Sequence, residues 1–257
     1  MQHTHRELDR VLQDACAKAA QQYGVSPEVH PGDFIFWFIH DDPGLEPKTK
    51  AADVYMESGQ STSIILRNIL SQHLPSREPF SLLDFASGYG RIARHLSKVL
   101  PKADVTACDI HAEAVSFLKR IGVQAVQSAT IPEQLDLKRQ FDVIFVLSFF
   151  THMPKRTWGR WLKSLANHLA PDGMLIFTTH GLTSQKLMGN PMLESDGFWF
   201  KPESEQKDLD AAEYGNTITT FEYVYRHISG TDLRLERFQT PGWGHQDLYV
   251  VRRPSVP

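Results

Sequence analysis

Chemistry-bearing residues gather in one stretch, Leu82 to Leu96, which reads LLDFASGYGRIARHL. An apolar run carries an acid, Asp84, near its end. A loop with Gly88 and Gly90 follows, and a helix-like pattern starts at Arg91. Glycines allow tight turning and let a ligand approach the backbone. The start of a helix offers free N–H groups and a partial positive charge, which suit an anionic group. GYGRIA, from Gly88 to Ala93, also satisfies the G-x-G-x-x-G/A pattern of dinucleotide-binding turns. Asp84 separates the readings. A carboxylate in the last residues of an apolar strand needs a cation or hydrogen-bond donors. It repels the phosphate that a dinucleotide would bring there and attracts an ammonium group. Asp109, at the end of DVTACD, stands where an acid accepts hydrogen bonds from both hydroxyls of a ribose. The implied ligand has a ribose, a nearby amino group and little negative charge.

S-adenosylmethionine meets that description, with its adenosine, its sulfonium and its zwitterionic methionine tail. A sulfonium is already a strong electrophile, so alignment of an acceptor carries much of the rate and a general base is optional. His152, within THMP, is the candidate base for a hydroxyl or amine acceptor. Its alternative role is to cap the next helix or to pack locally. His180 and His245 are candidate acceptor contacts, with ordinary loop histidines as the alternative. Trp158, Phe198, Trp199 and Tyr214 could wall an apolar acceptor pocket, or could pack covering segments onto a core. The histidines show no HExxH spacing and the two cysteines, Cys16 and Cys108, form no CxxC, so no metal is expected.

The elements that must position these residues follow from periodicity. Thr4-His5-Arg6-Glu7 resembles a capping box, and Leu8, Val11, Leu12, Ala15 and Ala19 then recur at helical spacing up to a stop at Gly24. Residues 25–50 are rich in Pro, Gly and Asp around an aromatic knot, FIFWF. A second helix is expected from Ala51 to His73, closed by Pro75 and Pro79. From Phe80 strand and helix alternate. SLLDFA, Asp104 to Asp109, Val123 to Val126, Phe141 to Phe150 and Gly173 to Thr179 read as strands. Arg91 to Val99, Ala112 to Ile121 and Lys155 to Leu169 read as helices. Apolar strands alternating with helices predict a parallel, doubly wound sheet. Beyond His180, Gly197 to Phe200 and Tyr214 to Thr219 could pair as a hairpin around the acid-rich ESEQKDLDAAE. A helix from Thr220 to Ile228 and strands near 232–238 and 247–252 would finish the chain. Residues 1–79 are expected to form a helical cap and residues 80–257 the core, with an insertion at 181–219.

Bulk properties set limits. A chain of 257 residues with 41% hydrophobic and 22% charged residues can bury a core of ordinary size. A formal net charge of -3 gives no basic field, so nucleic acid is not expected as a partner. The longest nearly apolar run, Val143 to Phe150, is too short for a bilayer, and MQHTHRELDR lacks the apolar centre of a signal peptide. A soluble cytoplasmic protein with free thiols is expected.

The motifs taken together resemble the class I S-adenosylmethionine-dependent methyltransferases. LLDFASGYGRIARHL is similar to their first motif, VTACDIHAEAV to the second, FDVIFVLSFFTHMP to the motif at the fourth strand, and HLAPDGMLIFTTHG to that at the fifth. GWGHQDLYVVRR and DVYMESG resemble the last strand and the covering helix of one bacterial branch of that family. The resemblance implies a Rossmann-like α/β fold: a doubly wound, seven-stranded mixed sheet whose last strand is antiparallel and entered through Gly242-Trp243-Gly244. It also implies roles. Asp84 would hold the methionine ammonium, through loop amides or a water. Ala86, Ser87, Gly88, Gly90 and Arg91 would belong to the cofactor loop and the helix start. Asp109 would bind the ribose, Ile110 would lie against the adenine, and Ser128 and Ala129 would border it. Leu147 would lie by the methionine moiety, with Tyr55 and Gly59 closing over it. Ala86 stands where the family usually has glycine, which is compatible with a negative φ at that residue. The expected reaction is methyl transfer to an oxygen or nitrogen of a small-molecule acceptor, leaving S-adenosylhomocysteine. An NAD-dependent oxidoreductase and a non-catalytic cofactor-binding protein are the alternatives.

Overall fold

The computed structural model describes residues 6–74, 79–204, 206 and 209–255. The chain divides into two compact units, one up to Gln127 and the other from Ser128.

In the first unit, helix α1 (Arg10–Gln21) is capped by Asp9, whose carboxylate accepts from the Leu12 amide at 2.8 Å. The expected capping box is therefore not the cap; its Thr4 and His5 lie outside the described residues. Leu12, Cys16, Ala19 and Ala20 are buried at helical spacing, while Val11, on the other face, is 65% exposed. FIFWF is not an irregular knot. It winds into helix α2 (Phe34–His40), with Asp33 accepting from the Phe36 amide at 3.1 Å. Helix α3 (Lys50–His73) matches its expected span, and Leu66, Ile69 and Leu70 are buried. The expected stop at Pro75 lies outside the described residues.

Strand β1 (Phe80–Phe85) leads through the glycine loop into helix α4 (Ala93–Val99). Strand β2 (Ala103–Asp109), helix α5 (Ala112–Arg120) and strand β3 (Gln124–Gln127) complete the unit. The register pairs Asp84 with Ala107 and Asp109 with Gln127, all in parallel. The two acids therefore end neighbouring strands at the same carboxyl edge, where open sheets bind ligands.

In the second unit, strand β4 (Phe141–Val146) stops four residues before its expected end. The chain turns at Ser148, which has φ +60°. Helix α6 (Lys155–Asn167) and strand β5 (Leu169–Thr179) follow. Helix α7 (Leu182–Leu187) opens the insertion and was not expected. Strands β6 (Phe198–Lys201) and β7 (Asn216–Thr219) form the expected antiparallel hairpin, a separate two-stranded sheet. Part of the acid-rich run, Glu205, Lys207 and Asp208, lies outside the described residues. Helix α8 (Phe221–Ser229) is capped by Thr220 and ends at Gly230. Strand β8 (Arg234–Trp243) turns through Gly244, at φ +58°, into strand β9 (Gln246–Arg252).

The larger sheet has seven strands in the order β3-β2-β1-β4-β5-β9-β8. β9 runs antiparallel to both β5 and β8. This is the mixed, Rossmann-like α/β sheet expected from the motifs. Among the described residues no helix is long and apolar enough to cross a membrane.

Candidate functional site

In the first unit the sheet edge and the glycine loop build one polar cradle. Asp84 is 2% exposed, and its Oδ2 has no hydrogen-bond partner. Burial lifts its carboxyl from an ordinary 3.8 to about 7; the Arg91 charge opposes the rise and Asp109 adds to it. Such a group is costly until a donor reaches it. The loop after it is bent by three left-handed residues: Ala86 at φ +60°, Gly88 at +56° and Gly90 at +80°. The expectation of a negative φ at Ala86 is thus overturned. Alanine here carries the strain that the family's usual glycine avoids. A side chain at Gly90 would stand 2.6 Å from Leu118 Cδ2, so glycine is needed there for space as well.

Asp109 holds this loop from the side of β2. Its Oδ2 accepts from the Gly88 amide at 2.8 Å, and its Oδ1 accepts from the His111 amide at 3.0 Å and lies 3.0 Å from His111 Nδ1. Ser87 donates to the Cys108 carbonyl through its amide, at 3.0 Å, and its hydroxyl. Ile110 is half-buried, its carbonyl held by the Gln127 side chain at 3.1 Å. A carboxylate has more acceptor positions than these contacts use. Asp109 therefore keeps capacity for a ribose hydroxyl. An orphaned buried carboxylate oxygen, a left-handed glycine loop and a second acid at the same edge fit a zwitterionic nucleoside. Asp84 argues against a dinucleotide phosphate at this edge.

Two residues expected over the cofactor do other work. Tyr55 is fully buried, donates to Asp33 Oδ2 at 2.5 Å and packs on Phe36. Gly59 lies where α3 crosses the start of α4, and a Cβ there would fall 2.0 Å from the Arg91 carbonyl oxygen. Both serve helix packing. Arg91 reaches back to Ser58 Oγ at 3.2 Å.

In the second unit the loops after β4 and β5 converge on the hairpin strand β7. His152 Nδ1 lies 2.8 Å from the Gly215 carbonyl, and its ring stacks on Tyr214 at 4.3 Å. A carbonyl only accepts, so Nδ1 carries the proton and Nε2 keeps its lone pair. Burial pulls His152 down to about 4, against a small raising effect of that hydrogen bond. His180 Nδ1 bonds the Thr217 carbonyl at 3.2 Å, and its ring stacks on His245 at 5.6 Å. Burial first, then the charges of His152 and His245, bring His180 to about 4 as well. His152, His180, Tyr214 and His245 are thus gathered around one strand. Trp199 is half-buried on β6 opposite Ile218. Trp158 does not line a pocket. It is fully buried, donates to the Phe150 carbonyl at 3.1 Å and packs on Phe150 and Tyr223. Ser128, Ala129 and Leu147 are half-buried. Leu147 lies just past the end of β4 rather than within it.

Two further residues of the second-unit centre, Gln246 and Asp247, have no role in the motifs. Gln246 hydrogen-bonds Ser148 Oγ through its Nε2 at 2.8 Å, holding the left-handed turn after β4. Asp247 is 3% exposed, with Oδ1 unpartnered and Oδ2 only 1.9 Å from where a Gly181 side chain would stand. Its signal was available: an acid leading into the apolar strand QDLYVV repeats the pattern that singled out Asp84.

A methyltransferase domain family matches residues 83–175. That stretch takes in Asp84, the glycine loop and Asp109, and it agrees with the resemblance to the class I S-adenosylmethionine-dependent methyltransferases. In sequence the chain is 27% identical over 133 residues to malonyl-(acyl-carrier protein) O-methyltransferase of Bacillus cereus, a match covering 50% of this chain and 48% of that one. The chain thus spans about half the length of the curated relatives it matches. In fold it is similar to an S-adenosylmethionine-dependent methyltransferase from Clostridium acetobutylicum, with a TM-score of 0.53, 17% identity and coverage of 77% and 92% of the two chains. It is also similar to S-adenosylmethionine-bound CalS10, an amino pentose methyltransferase from Micromonospora echinaspora, with a TM-score of 0.55, 14% identity and coverage of 76% and 91%.

Proposed function

We propose that this chain transfers the methyl group of S-adenosylmethionine to an oxygen or nitrogen of a small-molecule acceptor. The observation that carries the reading is Asp84, a buried carboxylate with a free oxygen beside a left-handed glycine loop. When bound, the cofactor supplies an electrophilic methyl on a sulfonium. Asp84 would take the ammonium of the methionine tail. Asp109 would take the ribose, with Ile110 along the adenine and Ser128 and Ala129 at its border. Residues 86–90 and Arg91 would shape the backbone around the tail, and Leu147 would stand by it.

On the acceptor side, His152 is the residue proposed to receive a hydrogen bond from the attacking hydroxyl or amine through Nε2. A histidine held neutral at about 4 is a hydrogen-bond acceptor across the physiological range and a poor proton store. His152 therefore orients the nucleophile more than it deprotonates it. His180, His245, Tyr214 and Trp199 would contact the remainder of the acceptor. A net charge of -3 supports a small acceptor over a nucleic acid. Isothermal titration against S-adenosylhomocysteine and NADH tests the reading. Binding of the first alone supports it, and binding of NADH alone returns the chain to the dinucleotide class. Cofactor binding without turnover on any hydroxyl or amine acceptor would leave a non-catalytic binder.

A further inference from the structure

Arg94 lies within LLDFASGYGRIARHL but has no role in the reading above, yet its side chain makes four hydrogen bonds beside the glycine loop. It is 4% exposed, and it donates to four backbone carbonyls. Nε reaches Gly90 at 2.9 Å and Nη2 reaches Tyr89 at 3.2 Å, both in the loop. Nη1 reaches Ser26 at 2.9 Å and Glu28 at 2.8 Å, both in the segment between α1 and α2. One planar fork thus ties two segments more than sixty residues apart. Lysine, a point charge without the fork, could not do the same.

A second set of contacts joins the same two segments. The His30 ring stacks on Tyr89 at 4.4 Å with an interplanar angle of 11°. Gly32 passes so close that a side chain there would lie 2.9 Å from the Tyr89 hydroxyl. Phe117 closes the cluster edge-on to both rings. Farther out, Glu28 pairs with Arg120 at 3.0 Å. The turn that presents His30 is held by the Gly32 amide on His30 Nδ1, at 3.0 Å, and the Asp33 amide on the His30 carbonyl, at 2.9 Å. Tyr89, the residue between the two loop glycines, is therefore the point on which the N-terminal segment sits.

We propose that Arg94 is a positioning residue for the cofactor, and that residues 26–33 form a strap whose docking on Tyr89 and whose cofactor loop are ordered together. The loop is gripped from two sides. Asp109 holds the Gly88 amide, and Arg94 holds the carbonyls of the next two residues. Glycines leave such a loop many conformations. Fixing its carbonyls together with the Gly88 amide fixes the path of the loop, and the ordering cost is then met before the cofactor arrives. Cofactor binding and strap docking draw on the same ordered state, so each favours the other. The inference rests on the methyltransferase reading for the identity of the ligand.

Hydrogen exchange and isothermal titration on the full chain, with S-adenosylhomocysteine as the probe, test it. In the unaltered protein the probe should slow exchange of the amides of Gly32 and Asp33. In Arg94→Met its Kd should rise roughly tenfold or more, the scale of a lost charge-assisted hydrogen bond. The strap amides should then exchange fast with or without the probe, while β4 keeps its protection. Arg94→Lys should not rescue. Tyr89→Leu, which leaves the Arg94 contacts and removes the stack, gives a smaller change of the same kind and serves if Arg94→Met does not fold. A variant that merely loosened packing would lower Tm and leave the probe's effect on the strap in place. The inference falls if Arg94→Met and Tyr89→Leu bind the probe as the unaltered chain does, or if the probe leaves strap exchange unchanged. If the unaltered chain does not bind S-adenosylhomocysteine at all, the methyltransferase reading falls first and takes the inference with it.

Discussion

Replacing Asp84 by Asn should make the ligand-free protein more stable and its cofactor binding weaker. Asp84 sits fully enclosed with one oxygen unpartnered, and burial raises its carboxyl from 3.8 to about 7. That rise corresponds to roughly 4 kcal/mol at about 1.4 kcal/mol per pH unit. Relaxation around the charge reduces the cost, so a gain between about 2 and 4 kcal/mol is expected at pH 8. For a chain of this length the gain should lift Tm by roughly 5–10 °C. The sign follows from proton uptake. Between about pH 4 and pH 7 the folded chain holds the Asp84 proton and the unfolded chain has lost it, so wild-type stability falls as pH rises across that window. Asn carries no such proton. The variant's advantage should be near zero below pH 4, grow through the window and level off above pH 7. Thermal and urea unfolding followed by circular dichroism at several pH values measures it. In parallel, S-adenosylhomocysteine should stabilise the wild type and lose about 1.5–3 kcal/mol of affinity on the variant, the worth of a hydrogen bond to a charged group. An advantage of equal size at pH 4.5 and pH 8 would show that packing, not charge, is responsible. Equal stabilisation of both proteins by the ligand would remove Asp84 from the site.

Other perturbations have equally definite outcomes. Ala86→Gly relieves a left-handed alanine and should raise stability by about 1 kcal/mol in urea unfolding; no gain would mean that the loop is not held at φ +60° in solution. Asp109→Ala frees the Gly88 amide and removes a ribose partner, so S-adenosylhomocysteine affinity should drop by roughly 1.5–3 kcal/mol in titration calorimetry, and unchanged affinity would exclude this acid. His152 and His180 are held at about 4 against an ordinary 6.5, so the unfolded chain binds more protons between those values. Their contribution to stability is full above about pH 6.5 and disappears as pH falls toward 4. The double variant His152→Gln, His180→Gln should flatten the stability slope in that window. Turnover should likewise show no His152-dependent limb near neutrality, and such a limb would refute the proposed neutral role.

The order of elements and the two acids at the sheet edge are legible in the residues alone. Strand and helix differ in period, so SLLDFA, DVTACD and the helices after them can be read locally. An acid in an apolar strand stands out against its neighbours, and Asp84 did so. Other features depend on partners distant in the chain. FIFWF has no polar face to set a period, and its helix is fixed by the Asp33 cap and by burial of Phe36. Trp158 reads as a candidate pocket wall until Phe150 and Tyr223 enclose it. Leu147 to Phe150 continue an apolar run, yet Ser148 turns there because Thr178 and Gln246 hold it. Arg94 looks like an ordinary surface charge on a short helix. Only the folded chain brings the carbonyls of Ser26, Glu28, Tyr89 and Gly90 within reach of one guanidinium. Propensity and period act over a few residues, whereas the partner of a buried polar group is chosen by tertiary packing.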